Sequence, residues 1–355
     1  MLITLTKQLA EGKGLTDEQV FEAVQALTGD EETASIKADF LIVLAWKRET
    51  AQEIAAFARA LQAVAIVPPL DAETRSRPIL DVCGTGGDRL NTFNISTTVA
   101  LVMASAGVSV AKHGNRAVTS QAGSADVLEA LGIKIDLTPE QAAASLRDHH
   151  FAFFFAPNYH PAFKQIAPAR RLCSERKERT IFNFLGPLLN PARPTVQLVG
   201  VPMRDLCVPI ATVLQSLGVR HGMVVCGCVE DWGNTRYLDE FSTLGNNHVV
   251  DVPPGAPDLF VLRSVSPKWF PIQPAKLADL AGGDSQANAE IVRRLLHGEE
   301  RGPKRDAVLL NCAAAMFVAE KCPSMAEGWN MAAELIDSGK AGKKLNELIA
   351  ASKQA

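Results

Sequence analysis

Apolar positions in the first 66 residues recur at helical spacing, with no strand-like alternation among them. Thr16 followed by Gln19 makes a capping box, and behind it Val20, Phe21, Val24 and Leu27 share one helical face. A second helix carries Ile36, Phe40, Leu41 and Leu44. Thr50 with Glu53 opens a third, marked by Ile54, Phe57, Leu61 and Val64. Three amphipathic helices of this size bury little core alone, so the bundle is expected to pack against the rest of the chain or a second copy. Val67-Pro68-Pro69 and then Pro78 interrupt the pattern, which places a hinge there.

Beyond residue 78 the texture changes to short apolar runs between helical stretches. Strands are predicted at Ile79–Cys83, Val108–Ala111, Phe151–Ala156, Val196–Val201, Met223–Cys226 and His248–Val252. Helices are predicted at Ser96–Ala106, Ser124–Leu131 and Pro139–His149, and around 205–217, 288–296, 306–320 and 325–337. This alternation implies an α/β fold: a small N-terminal helical domain at 1–68 and a larger α/β domain at 72–355 with a mostly parallel central sheet. No internal repeat is visible.

Composition narrows the function classes. The 355 residues are 47% hydrophobic and 21% charged, which excludes low-complexity disorder as the main state. Lys and Arg number 36 against 39 Asp and Glu, a formal net charge of -3, so no duplex-coating nucleic-acid protein is expected. No run approaches the ~18 apolar residues of a membrane span, and the start MLITLTKQLAEGKG does not resemble a secretion signal. The cysteines at 83, 173, 207, 226, 228, 312 and 322 are odd in number and scattered. They read as free thiols, with a cytoplasmic location as the expectation.

Chemistry concentrates in four places. Asp81-Val-Cys-Gly84-Thr85-Gly86-Gly87-Asp88 runs on to Thr92-Phe93-Asn94-Ile95-Ser96-Thr97. Glycines after a buried strand expose main-chain amides, and the following helix adds its N-terminal amides, a combination suited to phosphate. It is neither a Walker A loop nor GxGxxG. The second place, Lys112-His113-Gly114-Asn115-Arg116 with Thr119, Ser120 and Ser124, follows the next strand. Neighbouring parallel strands deliver such loops to one sheet edge, so Lys112 is expected to face the same anion. The third is Leu238-Asp239-Glu240-Phe241-Ser242. Adjacent carboxylates between apolar residues call for a cation, and Mg²⁺ with its oxygen ligands is the natural one. A regular strand would point the two side chains to opposite faces, so joint metal binding needs an irregular or terminal position. The fourth is Asn158-Tyr159-His160-Pro161 with Arg170, whose guanidinium matches a planar carboxylate.

GTGGD with TFNIST, KHGNRAVTSQAGSADVLEALG, FAPNYHP, RTIFNFLGPLLNP and LDEFST stand in the order and spacing of the anthranilate phosphoribosyltransferases. LAGGDSQANAEIV and DAVLLNCAAA resemble that family too, and the resemblance spans roughly residues 15 to 320. It implies the nucleoside phosphorylase/phosphoribosyltransferase type of fold, with the active site between the domains. It also implies a homodimer through the helical part, and a segment around 165–190 that returns to the helical domain. The implied reaction joins anthranilate to 5-phosphoribosyl 1-diphosphate with release of diphosphate, towards tryptophan.

By the same resemblance, phosphoribosyl diphosphate is held by Gly84, Gly86, Gly87, Asp88, Thr92, Asn94, Ile95, Ser96, Thr97, Lys112, His113, Gly114, Asn115, Arg116, Ala117, Val118, Thr119, Ser120 and Ser124. Ser96, Asp239 and Glu240 bind Mg²⁺. Gly84, Asn115 and Arg170 contact anthranilate, and His113, Tyr159 and His160 line its path. The stretch RRLCSERKERT, from Arg170 to Thr180, is longer and more charged than the family's loop, and Arg89 stands where a smaller residue is expected. A pyrimidine nucleoside phosphorylase shares the architecture, but KHGNRA and FAPNYHP argue against it. A non-catalytic nucleic-acid-binding relative fits poorly with the near-neutral charge and the intact Asp239-Glu240 pair.

Overall fold

The computed structural model describes residues 1–117, 121–231, 234–256 and 259–354. The N-terminal bundle contains α1 (Leu2–Ala10), α2 (Asp17–Thr28), α3 (Ala34–Lys47) and α4 (Ala51–Ala63). Both sequence-derived capping boxes form, with Thr16 and Thr50 accepting from the amides of Gln19 and Glu53. Helix α1 was not foreseen; Leu2, Leu5 and Leu9 bury one of its faces. Phe21 and Val64, expected inside, are exposed instead.

After α5 (Ala72–Ser76) the α/β part begins: β1 (Ile79–Gly84), α6 (Ile95–Ser105), β2 (Ser109–Gly114), α7 (Ser124–Leu131), α8 (Pro139–His149) and β3 (Phe151–Phe155). The strand predicted to reach Ala156 stops one residue short, because Ala156 and Pro157 open α9 (Ala156–Tyr159). Next come α10 (Phe163–Glu175), β4 (Val196–Gly200), α11 (Cys207–Ser216), β5 (His221–Asp231), β6 (Asn234–Leu238), β7 (Asn247–Val252) and β8 (Val261–Val265). The chain closes with α12 (Ser285–Leu296), α13 (Pro303–Val318), α14 (Met325–Asp337) and α15 (Lys340–Ser352). Among the described residues no helix is long and apolar enough to cross a membrane.

The sheet runs β3-β2-β1-β4-β5-β7-β8, with β6 folded back on β5. The pairs from β3 to β5 are parallel, and β6, β7 and β8 add antiparallel pairs. One sheet face, including Leu80, Val82, Val110, Phe153 and Leu198, packs on α6, α12, α13 and α14. On the other face Val199, Val224 and Val250 join a cluster that also holds Phe40, Phe57 and Leu61 of the bundle. Ile166, Ala169, Cys173, Ile181, Phe182 and Leu185 belong to this same cluster. Within the charged stretch after Arg170, Arg171 to Glu175 complete α10, and Arg176 and Glu178 bond Asp39 and Trp46 of α3.

Candidate active site

Strands β1 and β4 end side by side, with Gly84 opposite Gly200. The main chain after β6 crosses both tips. A Cβ on Gly84 would stand 2.6 Å from the Asp239 carboxyl carbon, and one on Gly200 would overlap the Asp239 main-chain oxygen. A Cβ on Gly227 of β5 would lie 2.8 Å from that of Ser242. The glycines thus clear a channel in which the Asp239-Glu240 step lies, past the end of β6 and off any regular strand. The next residue anchors it: the Phe241 amide donates to Asn311 Oδ1 and its carbonyl accepts from Asn311 Nδ2, both at 2.9 Å.

The carboxylates occupy the amides that the sequence marked for an anion. Gly86 N donates to Asp239 Oδ2 at 2.6 Å. Ser96 N, in the first turn of α6, donates to Glu240 Oε1 at 3.1 Å, where the helix dipole favours negative charge. Glu240 Oε2 is buried with no partner. Burial, reinforced by the charge of Asp88, pushes Asp239 up to about 8. Burial, reinforced by the charge of Asp239, pushes Glu240 well above the usual carboxylate range. Lys112 is itself buried, its Nζ donating to Val82 O at 2.7 Å and to Ser96 Oγ at 3.3 Å. Burial lowers its pKa, while Asp81 and Glu240 work to keep it charged.

A divalent oxygen-seeking cation fits this donor set. Two crowded carboxylates with an orphaned oxygen, next to a serine hydroxyl, outnumber the nearby Lys112 ammonium. Among the described residues no group of three or more His, Cys, Asp and Glu surrounds a metal position. Asp239, Glu240 and Ser96 Oγ would thus supply part of the oxygen shell of such a cation.

The remaining anion-loop residues surround this core. Gly86 and Gly87 have φ of +79° and +87°, the left-handed region that glycine tolerates. Arg89, flagged in the sequence, also sits at φ +59°, a conformation that costs a side-chain-bearing residue energy. Asp88 Oδ1 accepts from Leu90 N at 3.1 Å, and Thr92 bridges to Ala281. The Ile95 and Thr97 side chains are buried, so their main chain is what α6 presents. Gly114 ends β2 where a Cβ would overlap Ser124 Oγ. Asn115 Oδ1 accepts from Arg116 N at 2.8 Å, and Ala117 N donates to Asp126 Oδ2 at 2.9 Å. The Arg116 guanidinium is committed to Glu129 and Asp126 rather than turned free towards a ligand. Val118, Thr119 and Ser120 lie outside the described residues.

On the other face of β2 an aromatic wall leads towards the bundle. The His113 and His160 rings are 5.3 Å apart, His160 and Phe163 5.1 Å, and Phe163 and Phe182 5.7 Å. The Arg170 guanidinium carbon stands 5.4 Å from the Phe182 ring centroid. Burial holds His113 at about 3 and His160 at about 4, so both are neutral near pH 7. Phe163 and Phe182 were not singled out in the sequence; their place in FAPNYHPAF and RTIFNF, beside motif residues, is the signal that could have found them. Tyr159 is a correction. It is 1% exposed and packs on Phe154, in a separate apolar cluster with Leu137 and Leu146. The turn of α9 points it into the sheet–α8 core, away from the wall that takes His160.

Comparison with known proteins identifies the family and the fold. The model for the α/β domain of the glycosyl transferase family matches residues 76–342, and that for its helical bundle domain matches 3–65. Anthranilate phosphoribosyltransferase of Petrotoga mobilis is 42% identical over 343 residues, covering 97% of this chain and 94% of the relative. The crystal structure of the Thermus thermophilus enzyme of that name superposes with a TM-score of 0.86 at 39% identity, covering 98% of this chain and 99% of that one. The Saccharomyces cerevisiae enzyme, solved in complex with PRPP and Mg, gives a TM-score of 0.86 at 25% identity, covering 100% and 98%.

Proposed function

Because the chain belongs to the glycosyl transferase family, and within it to the anthranilate phosphoribosyltransferases, we propose that the strand-tip site described above is where it carries out their reaction. The protein is a pentosyltransferase of tryptophan biosynthesis. It transfers the phosphoribosyl group of 5-phosphoribosyl 1-diphosphate to anthranilate, giving N-(5-phosphoribosyl)anthranilate and diphosphate. The observation that carries the site assignment is the convergence of the Gly84–Asp88 turn with Asp239 and Glu240, joined by the Gly86 N to Asp239 Oδ2 bond.

Breaking the ribose C1–O bond builds positive charge on the sugar and negative charge on the departing diphosphate. Mg²⁺, held by Asp239, Glu240 and Ser96 Oγ, supplies positive charge against that leaving group when bound. The exposed Gly87 end of the glycine turn would meet the phosphates. Gly86 N stays bonded to Asp239, Ser96 N to Glu240, and Lys112 to Val82 and Ser96, while Lys112 adds its positive charge from beneath. The neutral wall of His113, His160, Phe163 and Phe182 receives the aromatic ring, with Arg170 on its carboxylate and Asn115 at the loop end. The anthranilate amine is a neutral nucleophile, so placing it in line does much of the work.

A cytoplasmic homodimer completes this reading. Ile3, Phe21 and Trp46 expose apolar surface, and all three lie on the helical bundle, the part through which a second copy would pair. We further divide the chain into a helical domain of 1–68 joined by about 165–190, and an α/β domain of 72–355. Burial of Ile166, Ala169 and Phe182 together with bundle side chains supports that division.

Anthranilate fluorescence tests the reading. The signal should fall when phosphoribosyl diphosphate and Mg²⁺ are added, stop falling on chelation, and stay constant with Asp239→Asn/Glu240→Gln. Phosphorolysis of a pyrimidine nucleoside, or a salt-sensitive DNA shift without turnover, would replace it.

A further inference from the structure

The motif LAGGDSQANA has no role in the site as described, yet it lies against the glycine-rich turn. Phe93 N donates to Leu280 O and Gly282 N to Asn91 O, each at 3.0 Å. A Cβ on Gly282 would stand 2.9 Å from Phe93 Cα, so only glycine permits this approach. Asn288 of α12, 2% exposed, faces the seam.

Its carboxamide starts a directional chain. Gly283 N donates to Asn288 Oδ1 at 2.7 Å, and Asn288 Nδ2 donates to Asn94 Oδ1 at 2.9 Å. Asn94 Nδ2 then donates to Ala122 O at 3.3 Å. A main-chain amide only donates and a main-chain carbonyl only accepts. The two ends therefore fix the polarity of both carboxamides between them. Asn94 spans from the glycine-rich turn to the loop that follows Lys112, so its orientation ties one anion loop to the other.

We propose that Asn288 is a positioning residue for phosphoribosyl diphosphate: it sets which way the Asn94 carboxamide points and thereby holds the two anion loops in mutual register. The proposal rests on the transferase reading above and extends it to a residue that touches no substrate.

Asn288→Asp keeps the acceptor for Gly283 N and removes the donor to Asn94. Asn94 must then turn its own NH2 to residue 288 and present oxygen to the Ala122 carbonyl. The expected result is a rise of about tenfold in KM for phosphoribosyl diphosphate, the scale of one frustrated buried polar contact. KM for anthranilate should stay within about twofold, since the aromatic wall is not involved. If Asn288→Asp does not fold, Asn288→Ala replaces it in a double-mutant cycle with Asn94→Ala. Acting through Asn94, Asn288→Ala should add nothing in the Asn94→Ala background. Additive effects, an unchanged KM in a folded variant, or equal rises in both KM values would overturn the proposal. Hydrogen exchange on Asn288→Ala needs no substrate and so separates this idea from the transferase reading. Faster exchange in both 91–97 and 121–126 supports the tie, and a change confined to 281–290 refutes it.

Discussion

Gly200 and Asp239 cannot both keep their places if residue 200 has a side chain. A Cβ there would overlap the Asp239 main-chain oxygen and stand 2.9 Å from the Glu240 amide. The backbone of the acidic step, rather than its side chains, is thus what the end of β4 measures. Gly200→Ala should push Asp239 and Glu240 off the Gly86 and Ser96 amides while the sheet beneath stays paired. A displacement of about 1 Å at a reacting site costs on the order of a hundredfold in rate. Turnover should fall by that order with unchanged far-UV circular dichroism, and near-wild-type turnover would show that the channel has slack.

The acidic step also works against the fold when no cation is present. Glu240 Oε2 has no partner, and Asp239 and Asp88 raise its pKa further by like charge. Mg²⁺ should raise the melting temperature of the wild type by mass action. Asp239→Asn/Glu240→Gln, expected to lose turnover, should melt higher than metal-free wild type by an amount worth about 1 kcal/mol or more, as expected when a functional strain is removed. It should gain nothing from added Mg²⁺. Equal Mg²⁺ shifts in both proteins, read by calorimetry, would remove the metal from this step.

Much of this was legible in the sequence where local chemistry and tertiary structure agree. Thr16 with Gln19 and Thr50 with Glu53 announced helix starts because a capping box is satisfied within four residues. The glycine-rich turn and the Lys112 loop were legible because parallel strands send their loops to one edge. Helix α1 was missed because Met1 gives it no side-chain cap, and its threonines dilute the apolar spacing. Phe21 was misplaced because periodicity does not say how wide a buried face is. Edge strand β8 was missed because Leu262, Arg263 and Ser264 are exposed, leaving no alternation to read. The Gly200–Asp239 approach was invisible because it joins residues far apart in the chain, and one glycine in a strand carries no partner's name.

The histidine wall gives the protein an acid-side limit. His160 has its folded pKa held down to about 4 by burial, against ~6.5 in an unfolded chain. Between those values the unfolded state binds the extra proton, so stability is complete above pH ~6.5 and declines as pH falls towards 4. His113, lower still at about 3, acts in the same direction. His160→Phe keeps an aromatic ring beside Phe163 but cannot titrate. Its loss of melting temperature between pH 7 and pH 4.5 should be smaller than that of the wild type, and parallel curves would place the acid sensitivity elsewhere.

Asp126 closes the neck of the second anion loop. Its Oδ2 accepts from Ala117 N and Gly123 N, both at 2.9 Å, and its Oδ1 accepts from Arg116 Nη1 at 3.1 Å. The neck is narrow enough that a Cβ on Gly123 would stand 2.6 Å from the Arg116 carbonyl carbon and overlap Ala117 N. One carboxylate therefore gathers both ends of the segment and the arginine that brackets it. Asp126→Ala leaves the two amides without their acceptor, lets the ends part and removes the capping contact at the start of α7, while the core beneath is untouched. The cost should be about 1–3 kcal/mol of local stability, the range for removing a charged acceptor from such donors. It should appear as faster hydrogen exchange around Ala117 and Gly123 and a higher KM for phosphoribosyl diphosphate. Asp126→Asn keeps only one acceptor oxygen and should fall between. If Asp126→Ala binds phosphoribosyl diphosphate as tightly as the wild type in calorimetry, the loop does not need its neck closed to hold the substrate.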